Sequence, residues 1–394
     1  MSSRIAGVIT TFFPFSHADV IVSKFLRGFP TDDAGLRPPR VKLTDVFLDQ
    51  VAPLDMGLPL FWQFGVKLHQ SIRAALTDGG GKELAVDGVL LIAEHGDYPH
   101  DELGRHMYPR RYLFEQVCGV FAETGRVCPV FCDKHLSYNW ADAKWMYDRA
   151  RQLGVPFMAG SSLPVGCRRP WLEPPLGCRI DQALTVGYGG VEAYGYHTVE
   201  LLQCLVERRG EGETGIKAVT YLEGADVWRA IDDGTIPGDL LAEAVAAIEE
   251  KPAGSMREHC AEPMAFLFEY QDGLRAATVM LNGYVKDWGF AARIDGELAA
   301  CEVYLQRGYP HSHFNYLSLN IEEMFVSGTP TYPVERTLLS SGMIDAVMVS
   351  RHSGRRLATP WLNVRYQPCG AVPWQTREPR PCGANLEAWP PKPA

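Results

Sequence analysis

Short apolar runs alternate with amphipathic segments along the first 165 residues. The apolar runs are rich in β-branched residues and predict strands, whereas apolar residues at helical spacing predict helices between them. The predicted strands are Arg4–Thr10, Val41–Leu48, Val86–Ala93, Val127–Cys132 and Val155–Ala159. The predicted helices are one capped by Ser16, then Phe64–Leu76, Arg110–Thr124 and Trp140–Leu153. Strands that alternate with helices indicate a doubly wound parallel sheet, which we assign to residues 1–165.

The pattern changes in the second part of the chain, where strand-like segments follow one another with little helix between them. Such a series indicates an antiparallel sheet. The predicted strands are Ile216–Leu222, Met264–Tyr270, Arg275–Asn282, Phe290–Asp295 and Ala299–Leu305, and the predicted helices are Val191–Glu207 and Glu335–Ser353. The sequence therefore predicts an α/β chain with a second, α+β domain at 166–366, built on a large, mainly antiparallel open sheet. Residues 367–394 form a tail rich in Pro and Gly.

Charge and hydropathy exclude two classes of partner. The 394 residues contain 38 Lys and Arg against 47 Asp and Glu, a net charge of −9 with no long basic run, so nucleic acid is not an expected partner. Apolar stretches such as Val89–Ala93 are too short to cross a bilayer. The N-terminus has no separate apolar signal region, and we expect a cytoplasmic protein.

The ten cysteines are spread along the chain without a Cys-x-x-Cys pair. Cys128 and Cys132 form a lone Cys-x-x-x-Cys on a predicted strand. Reduced and mostly buried thiols are therefore expected.

Three segments, in order and at consistent separations, resemble the Gfo/Idh/MocA oxidoreductases. The first is Pro129–His135 with its following helix and strand, which resembles the Glu-Lys-Pro strand of that family. The second is Gly189-Gly190 followed by Gly195–Glu200, which is similar to the family's Gly-x-His-x-x-Asp helix. The third extends from Ile321 to Pro360 and resembles the closing helix and strand. The resemblance covers about residues 4–365 and implies an N-terminal Rossmann domain joined to a C-terminal α/β domain with an open sheet.

The resemblance also implies catalytic residues. Lys134 and His197 match the lysine and histidine that serve as acid and base groups beside the substrate carbon in the family. The glutamate and proline of the Glu-Lys-Pro motif become Asp133 and His135 here, and both are candidates for the same site. Glu192 stands one residue away from the position of a family aspartate, about 100° around the helix, so it cannot simply replace that residue.

The resemblance implies an NAD(P) cofactor bound at the ends of the first strands. The candidate contacts are Thr10, Thr11, Ser16, His17, Asp49 and Glu94. The family's phosphate loop is Gly-x-Gly-x-x-Gly, whose glycines let the backbone approach the pyrophosphate. The corresponding stretch, Thr10–Phe15, has no glycine, and Pro14 lacks an N–H. From the sequence we expect the aromatic rings of Phe12 and Phe15 to block the position where the phosphate would approach.

The loop after Val86–Ala93 carries a second set of polar residues. It reads Glu94-His95-Gly96-Asp97-Tyr98-Pro99-His100-Asp101-Glu102, and His106 follows. His95 and Asp97 are candidate ligands for Zn or Mn, since imidazole and carboxylate both bind these ions. The His-x-His pair of His311 and His313 is another possible metal pair or part of a substrate-facing loop.

Three functions remain open on the sequence alone. The first is an NAD(P)-linked oxidoreductase that acts on a sugar or polyol with Lys134 and His197 as acid and base groups. The second is a lyase, isomerase or hydrolase of a carbohydrate-like substrate on the same fold, assisted by a divalent metal or not. The third is a ligand sensor or scaffold on a retired enzyme fold. A homo-oligomer, dimer or tetramer, is expected from the resemblance.

Overall fold

The computed structural model describes residues 3–31, 35–305, 311, 313–375 and 377. The first sheet has six strands, all parallel. They are β1 (Ser3–Ile9), β4 (Val41–Leu48), β5 (Lys67–His69), β6 (Gly88–Ile92), β7 (Val130–Asp133) and β8 (Phe157–Gly160), in the order β5-β4-β1-β6-β7-β8. This is the doubly wound order, with its switch point between β1 and β6. The sequence prediction of a Rossmann-like sheet is confirmed.

Helices cover both faces of this sheet. They are α1 (His17–Arg27), α2 (Gly57–Phe64), α3 (Ile72–Leu76), α4 (Arg110–Thr124) and α5 (Trp140–Leu153), and a small ribbon, β2 (Phe29–Thr31) with β3 (Gly35–Arg37), follows α1. The predicted helix Phe64–Leu76 is wrong. Gly65, at φ +66°, ends α2 in the left-handed conformation, an edge strand follows, and Ser71 caps a separate helix, α3.

The second sheet has eight strands. They are β9 (Cys167–Arg169), β10 (Ile180–Gly187), β11 (Ile216–Glu223), β12 (Met264–Tyr270), β13 (Arg275–Met280), β14 (Trp288–Ile294), β15 (Glu297–Tyr304) and β16 (Leu357–Ala358). Their order is β16-β11-β12-β13-β10-β14-β15-β9, and every pairing is antiparallel except that of β10 with β13. The large, mainly antiparallel sheet is therefore confirmed, although β9 and β10 were not predicted.

Six further helices follow in the described part of the chain. They are α6 (Ala193–Val206), α7 (Ala225–Asp232), α8 (Gly238–Ala247), α9 (Met256–His259), α10 (His313–Ser327) and α11 (Val334–Ser353). The unpredicted α10 packs on α1 and β2, so the chain returns to the first sheet after the second one is complete. α11 contacts both α5 and α6 and lies between the two sheets. Domain bounds at residues 165 and 366 stay a prediction, and of the tail only residues 367–375 and 377 are described.

The apolar core explains why these elements hold together. The central strands β6 and β7 are buried along their whole length, as expected for a parallel sheet covered on both faces. Nine cysteines in the described ranges are free, and eight of them are buried, which confirms the expectation for those nine; Cys382 lies outside the described residues. No helix in the described part of the chain has the length and apolar character needed to cross a membrane.

Candidate active site

The candidate site lies at the carboxyl ends of β1, β6 and β7, beside the N-terminus of α6. Ligands of doubly wound folds bind in this crevice, at the switch point of the strand order. Glu94 and His95 follow β6, and Lys134 and His135 follow β7. α6 brings His197 to the same place from the second part of the chain.

Lys134 is the centre of the site. Its Nζ lies 3.0 Å from His197 Nε2, 3.0 Å from the carbonyl oxygen of Ala193 and 3.5 Å from Glu94 Oε1. The side chain is only 3% exposed, so the amine is held among these partners rather than in water. The structure therefore brings together Lys134 and His197, as the sequence predicts.

Glu94 balances two buried cations. Its carboxylate pairs with the fully buried Arg110 and with Lys134, and its backbone oxygen accepts a hydrogen bond from Thr10 Oγ1 at 3.1 Å. Burial alone would raise the pKa of Glu94, but the charges of Lys134 and Arg110 hold it well below the usual value. Glu94 is therefore ionised at neutral pH.

The imidazoles of His197 and His135 are neutral. Burial, reinforced by the charge of Lys134, holds the pKa of His197 well below its usual value. Burial and the charge of Arg110, whose Nη1 is 3.4 Å from His135 Nε2, do the same to the pKa of His135. A neutral His197 can accept a hydrogen bond at Nε2 from the Lys134 amine. The Nδ1 atoms of both histidines are buried without a hydrogen-bond partner.

His17 and Asp133 form a second contact across the crevice. His17 Nδ1 is 2.6 Å from Asp133 Oδ2, and Asp133 is completely buried with no partner for its other oxygen. The ring of His95 lies 5.4 Å from that of His17, and burial together with the His17 charge lowers the pKa of His95 to about 4. The contact with Asp133 therefore places His17 against the end of β7.

Backbone strain is concentrated around this crevice. Six non-glycine residues in the described ranges have positive φ. Four of them surround the site: Phe15, His95, Lys134 and His311. Lys134 has φ +67°, and its N–H donates to the carbonyl oxygen of Gly160 at 3.1 Å. Side chains in this conformation cost free energy and are retained where the fold needs their direction, typically at functional sites.

An open pocket of about 680 Å³ adjoins the Lys134 cluster. Glu94, His135 and Ala193, which all contact Lys134 or Arg110, form one wall. The other lining residues are His100, Gly104, His106, Tyr108, Gly189, Gly190, Val191, Glu192, Met264, Asn282, Met348 and Arg351. The ring of His106 stacks on those of Tyr108 and His100, with centroids 3.9 and 4.2 Å away. This pocket is large enough for a small molecule.

The residues at the start of α1 do not fit the phosphates of a dinucleotide. Ser16 Oγ accepts the N–H groups of Phe13 and Asp19, at 3.2 and 3.3 Å. The buried carboxylate of Asp19 accepts the N–H of Phe15 at 2.9 Å. Donors that a phosphate would use are therefore taken by the protein's own oxygens, and Asp19 places a carboxylate where an anion would bind.

The ring of Phe12 is not part of this obstruction. It is completely buried in the core and meets the ring of Phe61 edge-on, with centroids 5.6 Å apart. The expectation that it stands in the path of the phosphate is wrong, because the chain turns its side chain under the loop, against Gly57. Phe15 is the exposed ring, at 41%.

The remaining predicted cofactor contacts have other partners. Thr10 and Thr11 are buried, and Asp49, at the end of β4, accepts a hydrogen bond from the Tyr98 hydroxyl at 2.6 Å. Gln50 exchanges two hydrogen bonds with the backbone of Asp97, at 2.8 and 3.2 Å. The loop after β6 is thereby fastened over the end of β4, where the predicted ribose contact would lie.

The predicted metal ligands do not form a cluster. In residues 3–31, 35–305, 311, 313–375 and 377, no three His, Cys, Asp or Glu side chains are grouped so that they could hold a metal ion. His95 packs against the ring of Phe13 at 5.4 Å, whereas Asp97 is exposed. The rings of His311 and His313 are 6.0 Å apart. The metal hypothesis thus has no support from the geometry.

Sequence reasoning missed three residues of the site. The sequence places Arg110 and Asp19 only on predicted helices, and it places Glu192 one residue away from the position of the family aspartate. A charged residue at the first position of a predicted helix, as at Arg110, was the available signal. Nothing in the sequence could show that Arg110 is fully buried against Glu94.

A scan against protein-family models finds no match to the chain, and a search of the curated proteins finds none either. Solved structures do match. GenD2 from gentamicin A biosynthesis, in complex with NAD, has a TM-score of 0.54 and 14% identity, over 91% of this chain and 97% of that one. The scyllo-inositol dehydrogenase of Lactobacillus casei, with NAD(H) and scyllo-inositol bound, has a TM-score of 0.54 and 10% identity, over 91% and 99%. Biliverdin reductase from Synechocystis sp. PCC 6803, in complex with biliverdin and NADP⁺, has a TM-score of 0.52 and 12% identity, over 89% of this chain and 99% of that one.

At such low identities the likeness shows the fold alone. It agrees with the two-sheet architecture over nine-tenths of the chain. The resemblance to the Gfo/Idh/MocA oxidoreductases, first seen in three sequence segments, is therefore confirmed as a common fold.

Proposed function

We propose that this chain is an enzyme that moves a proton at a hydroxyl-bearing carbon of a sugar-like or polyol-like small molecule, with Lys134 and His197 as the proton-transfer pair. The observation that supports it is the buried contact of 3.0 Å between Lys134 Nζ and His197 Nε2, beside the pocket. The positive φ of Lys134 is a second sign that the fold keeps this amine in place at a cost.

The pair suits acid–base work because a neutral imidazole can accept a proton that an amine donates. The ionised Glu94 lies 3.5 Å from the Lys134 amine, whereas burial keeps His197 neutral. A proton can therefore pass between two nitrogens that are already at hydrogen-bond distance, and a substrate hydroxyl placed against either one can exchange its own proton. Asp133 and His135 lie on the same strand end, where Asp133 orients His17 and His135 contacts Arg110.

Oxidation or reduction of the hydroxyl carbon is the first candidate reaction. The support comes from the fold, since the matching structures are oxidoreductases, several with NAD or NADP in their crystals and one with scyllo-inositol. A nicotinamide cofactor would supply or accept the hydride. The start of α1, however, does not fit the phosphates of that cofactor, because its N–H groups are already bonded to Ser16 and Asp19.

Non-redox chemistry on the same substrate class is the second candidate. The observation that favours it is the Asp19 carboxylate at the start of α1, since a lyase or isomerase needs the acid–base pair but no nucleotide. Both candidates require Lys134, and they differ only in the cofactor.

A paired experiment tests the proposal and separates the candidates. The protein is titrated with NAD⁺, NADH, NADP⁺ and NADPH in thermal-shift assays, since binding to the folded state raises the melting temperature. A panel of inositols, sugars and sugar acids is then followed by nicotinamide absorbance with nucleotide, and by proton NMR without it. Turnover seen only with nucleotide supports the first candidate, and turnover seen by NMR alone supports the second.

Matched variants tie the activity to the site. Lys134→Met should abolish turnover, whereas Lys42→Met, at an exposed position of β4, should leave it unchanged. His197→Gln should lower turnover with little change in melting temperature. Full activity in Lys134→Met, or no turnover of any panel member by the native protein, would contradict the proposal.

A further inference from the structure

Glu192 is a pocket residue with an unusual environment. It stands at the N-cap of α6 and lines the pocket beside Lys134. Its Oε2 accepts the backbone N–H of His106 at 2.8 Å, while Oε1 is buried without a hydrogen-bond partner. An ionised carboxylate would leave a charged oxygen buried and unpaired, which is costly, whereas a neutral carboxyl has an O–H to donate.

The same pocket is lined by a second carboxyl group, that of Glu94, in the reverse situation. Glu94 pairs with Arg110 and Lys134 and is ionised. The pocket therefore presents two carboxyl groups whose environments favour opposite protonation states. Such a contrast is how proteins assign one acid and one base to chemically identical side chains.

The pocket lining also contains buried polar atoms without hydrogen-bond partners. His135 lines the pocket with 3% of its surface exposed, and its Nδ1 has no hydrogen-bond partner. His106 lines it as well, with an unpartnered Nε2. Buried polar atoms in native proteins are nearly always paired, so these nitrogens indicate that the pocket takes a polar ligand or ordered water.

We propose that Glu192 is the neutral carboxylic acid of this pocket, and that it donates its proton to an oxygen of a hydroxyl-bearing ligand while the ionised Glu94 accepts from that ligand. A hydroxyl group both donates and accepts, so it can bond to both carboxyl groups. A carboxylate or phosphate placed there would only accept and would face the Glu94 charge. The class of ligand rests on the proposed function; the protonation of Glu192 does not.

The charged surroundings support this assignment. Burial raises the pKa of Glu192 to about 7, against the opposing hydrogen bond from His106 and the charge of Arg110. The charged groups that act on it from the strand ends and α4 are Glu94, Lys134 and Arg110. His100, His106, Tyr108 and His135 face the same pocket, and Arg351 lines it from α11. The N-terminus of α6 favours the ionised form, but its effect is weaker than that of burial.

The first test observes the proton directly. Infrared difference spectra between the native protein and Glu192→Gln should show the carbonyl stretch of a protonated carboxyl at pH about 6 that disappears by pH about 8.5. Glu192→Gln keeps an acceptor for the His106 N–H, so it should fold, as circular dichroism will show. Glu102→Gln, at an exposed residue of the loop after β6 that carries His106, is the control and should not remove the band. No band at the lower pH would overturn the proposal.

The second test uses conduritol B epoxide, a cyclic polyol that carries an epoxide, as the probe. When the Glu94 carboxylate attacks a ring carbon, that carbon–oxygen bond of the epoxide breaks, its electron pair stays on the oxygen, and the Glu192 proton joins that oxygen. Intact-mass spectrometry should find one reagent added per chain, at a rate that falls as the pH rises through about 7.

The outcomes separate this inference from the proposed function. Glu192→Gln should remain unlabelled, whereas Glu102→Gln should react like the native protein. Equal labelling of Glu192→Gln, or a rate that does not change with pH, would overturn the role of Glu192. The infrared band without any labelling of the native protein would overturn the ligand class and would count against the proposed function, while leaving the protonation of Glu192 intact.

Discussion

Glu192→Gln should change how the stability of the folded chain depends on pH. The folded-state pKa of about 7 lies above the ordinary value of 4.5, because burial disfavours the charged form. Between those two pH values the unfolded chain has released this proton and the folded chain has kept it. The carboxyl thus contributes stability that is full below pH 4.5 and is lost as the pH rises through 7.

The size of this effect follows from the shift. The difference of 7 − 4.5 = 2.5 units corresponds to about 3.4 kcal/mol at about 1.36 kcal/mol per unit. Glu192 is half-buried and stands at a helix N-terminus, and both facts reduce the effect, so we expect about 2 kcal/mol. Glutamine cannot ionise and therefore lacks this contribution to the pH dependence.

Urea unfolding of both proteins between pH about 4 and 8.5 measures the difference. The free energy of unfolding of Glu192→Gln relative to the native protein should rise by about 2 kcal/mol across this range, and the rise should be complete near pH 7. Glu102→Gln removes an exposed carboxyl from the loop after β6 and should show no such step. Parallel profiles for the native protein and Glu192→Gln would refute the assignment of a neutral carboxyl.

Two further predictions concern the backbone and core around the site. Lys134→Gly and Lys134→Ala both remove the amine, but only glycine is relaxed at φ +67°. The glycine variant should therefore be more stable than the alanine variant by about 1 kcal/mol in urea unfolding. An alanine variant of equal stability would mean that the backbone of Lys134 is not strained. Phe12→Ala should lose about 3 to 5 kcal/mol of stability because its ring is fully buried, whereas Phe15→Ala, at a 41% exposed ring, should lose less than half as much. Similar losses in the two variants would show that the ring of Phe12 is not in the core.

Most of the fold could be predicted because its signals are local. Arg110–Thr124 and Trp140–Leu153 were predicted to the residue, since helical spacing and a glycine after each helix define them. The predicted helix Phe64–Leu76 is wrong because the apolar residues continue across Gly65, and only the left-handed conformation of that glycine separates α2 from the edge strand. α10 was missed because its apolar face packs on α1 and β2, which lie almost three hundred residues earlier.

The candidate site was predictable where the sequence resemblance supplied the partners. Lys134 and His197 are 63 residues apart, so no local periodicity predicts that they meet. The prediction came from the two segments that resemble the family. In the structure, Lys134 Nζ and His197 Nε2 are 3.0 Å apart. Arg110 and Glu192 had no such support. The role of Arg110 depends on its burial, and that of Glu192 depends on its unpaired Oε1. Both are properties of the folded chain and not of the local sequence.

The start of α1 does not fit a phosphate, but the physical reason differs from the one that the sequence predicts. The missing glycines of Thr10–Phe15 indicate that phosphate does not approach, and the sequence predicts that the rings of Phe12 and Phe15 are the obstacle. In the structure the ring of Phe12 is in the core, and the obstacle is electrostatic: the Asp19 carboxylate and the Ser16 hydroxyl already accept the N–H groups of the loop. Restoring glycine at Phe12 and Phe15 would therefore leave a carboxylate at the helix N-terminus and should not by itself create a phosphate site. Replacement of Asp19 would be the necessary first step, because its buried carboxylate accepts the N–H of Phe15 and would repel a phosphate.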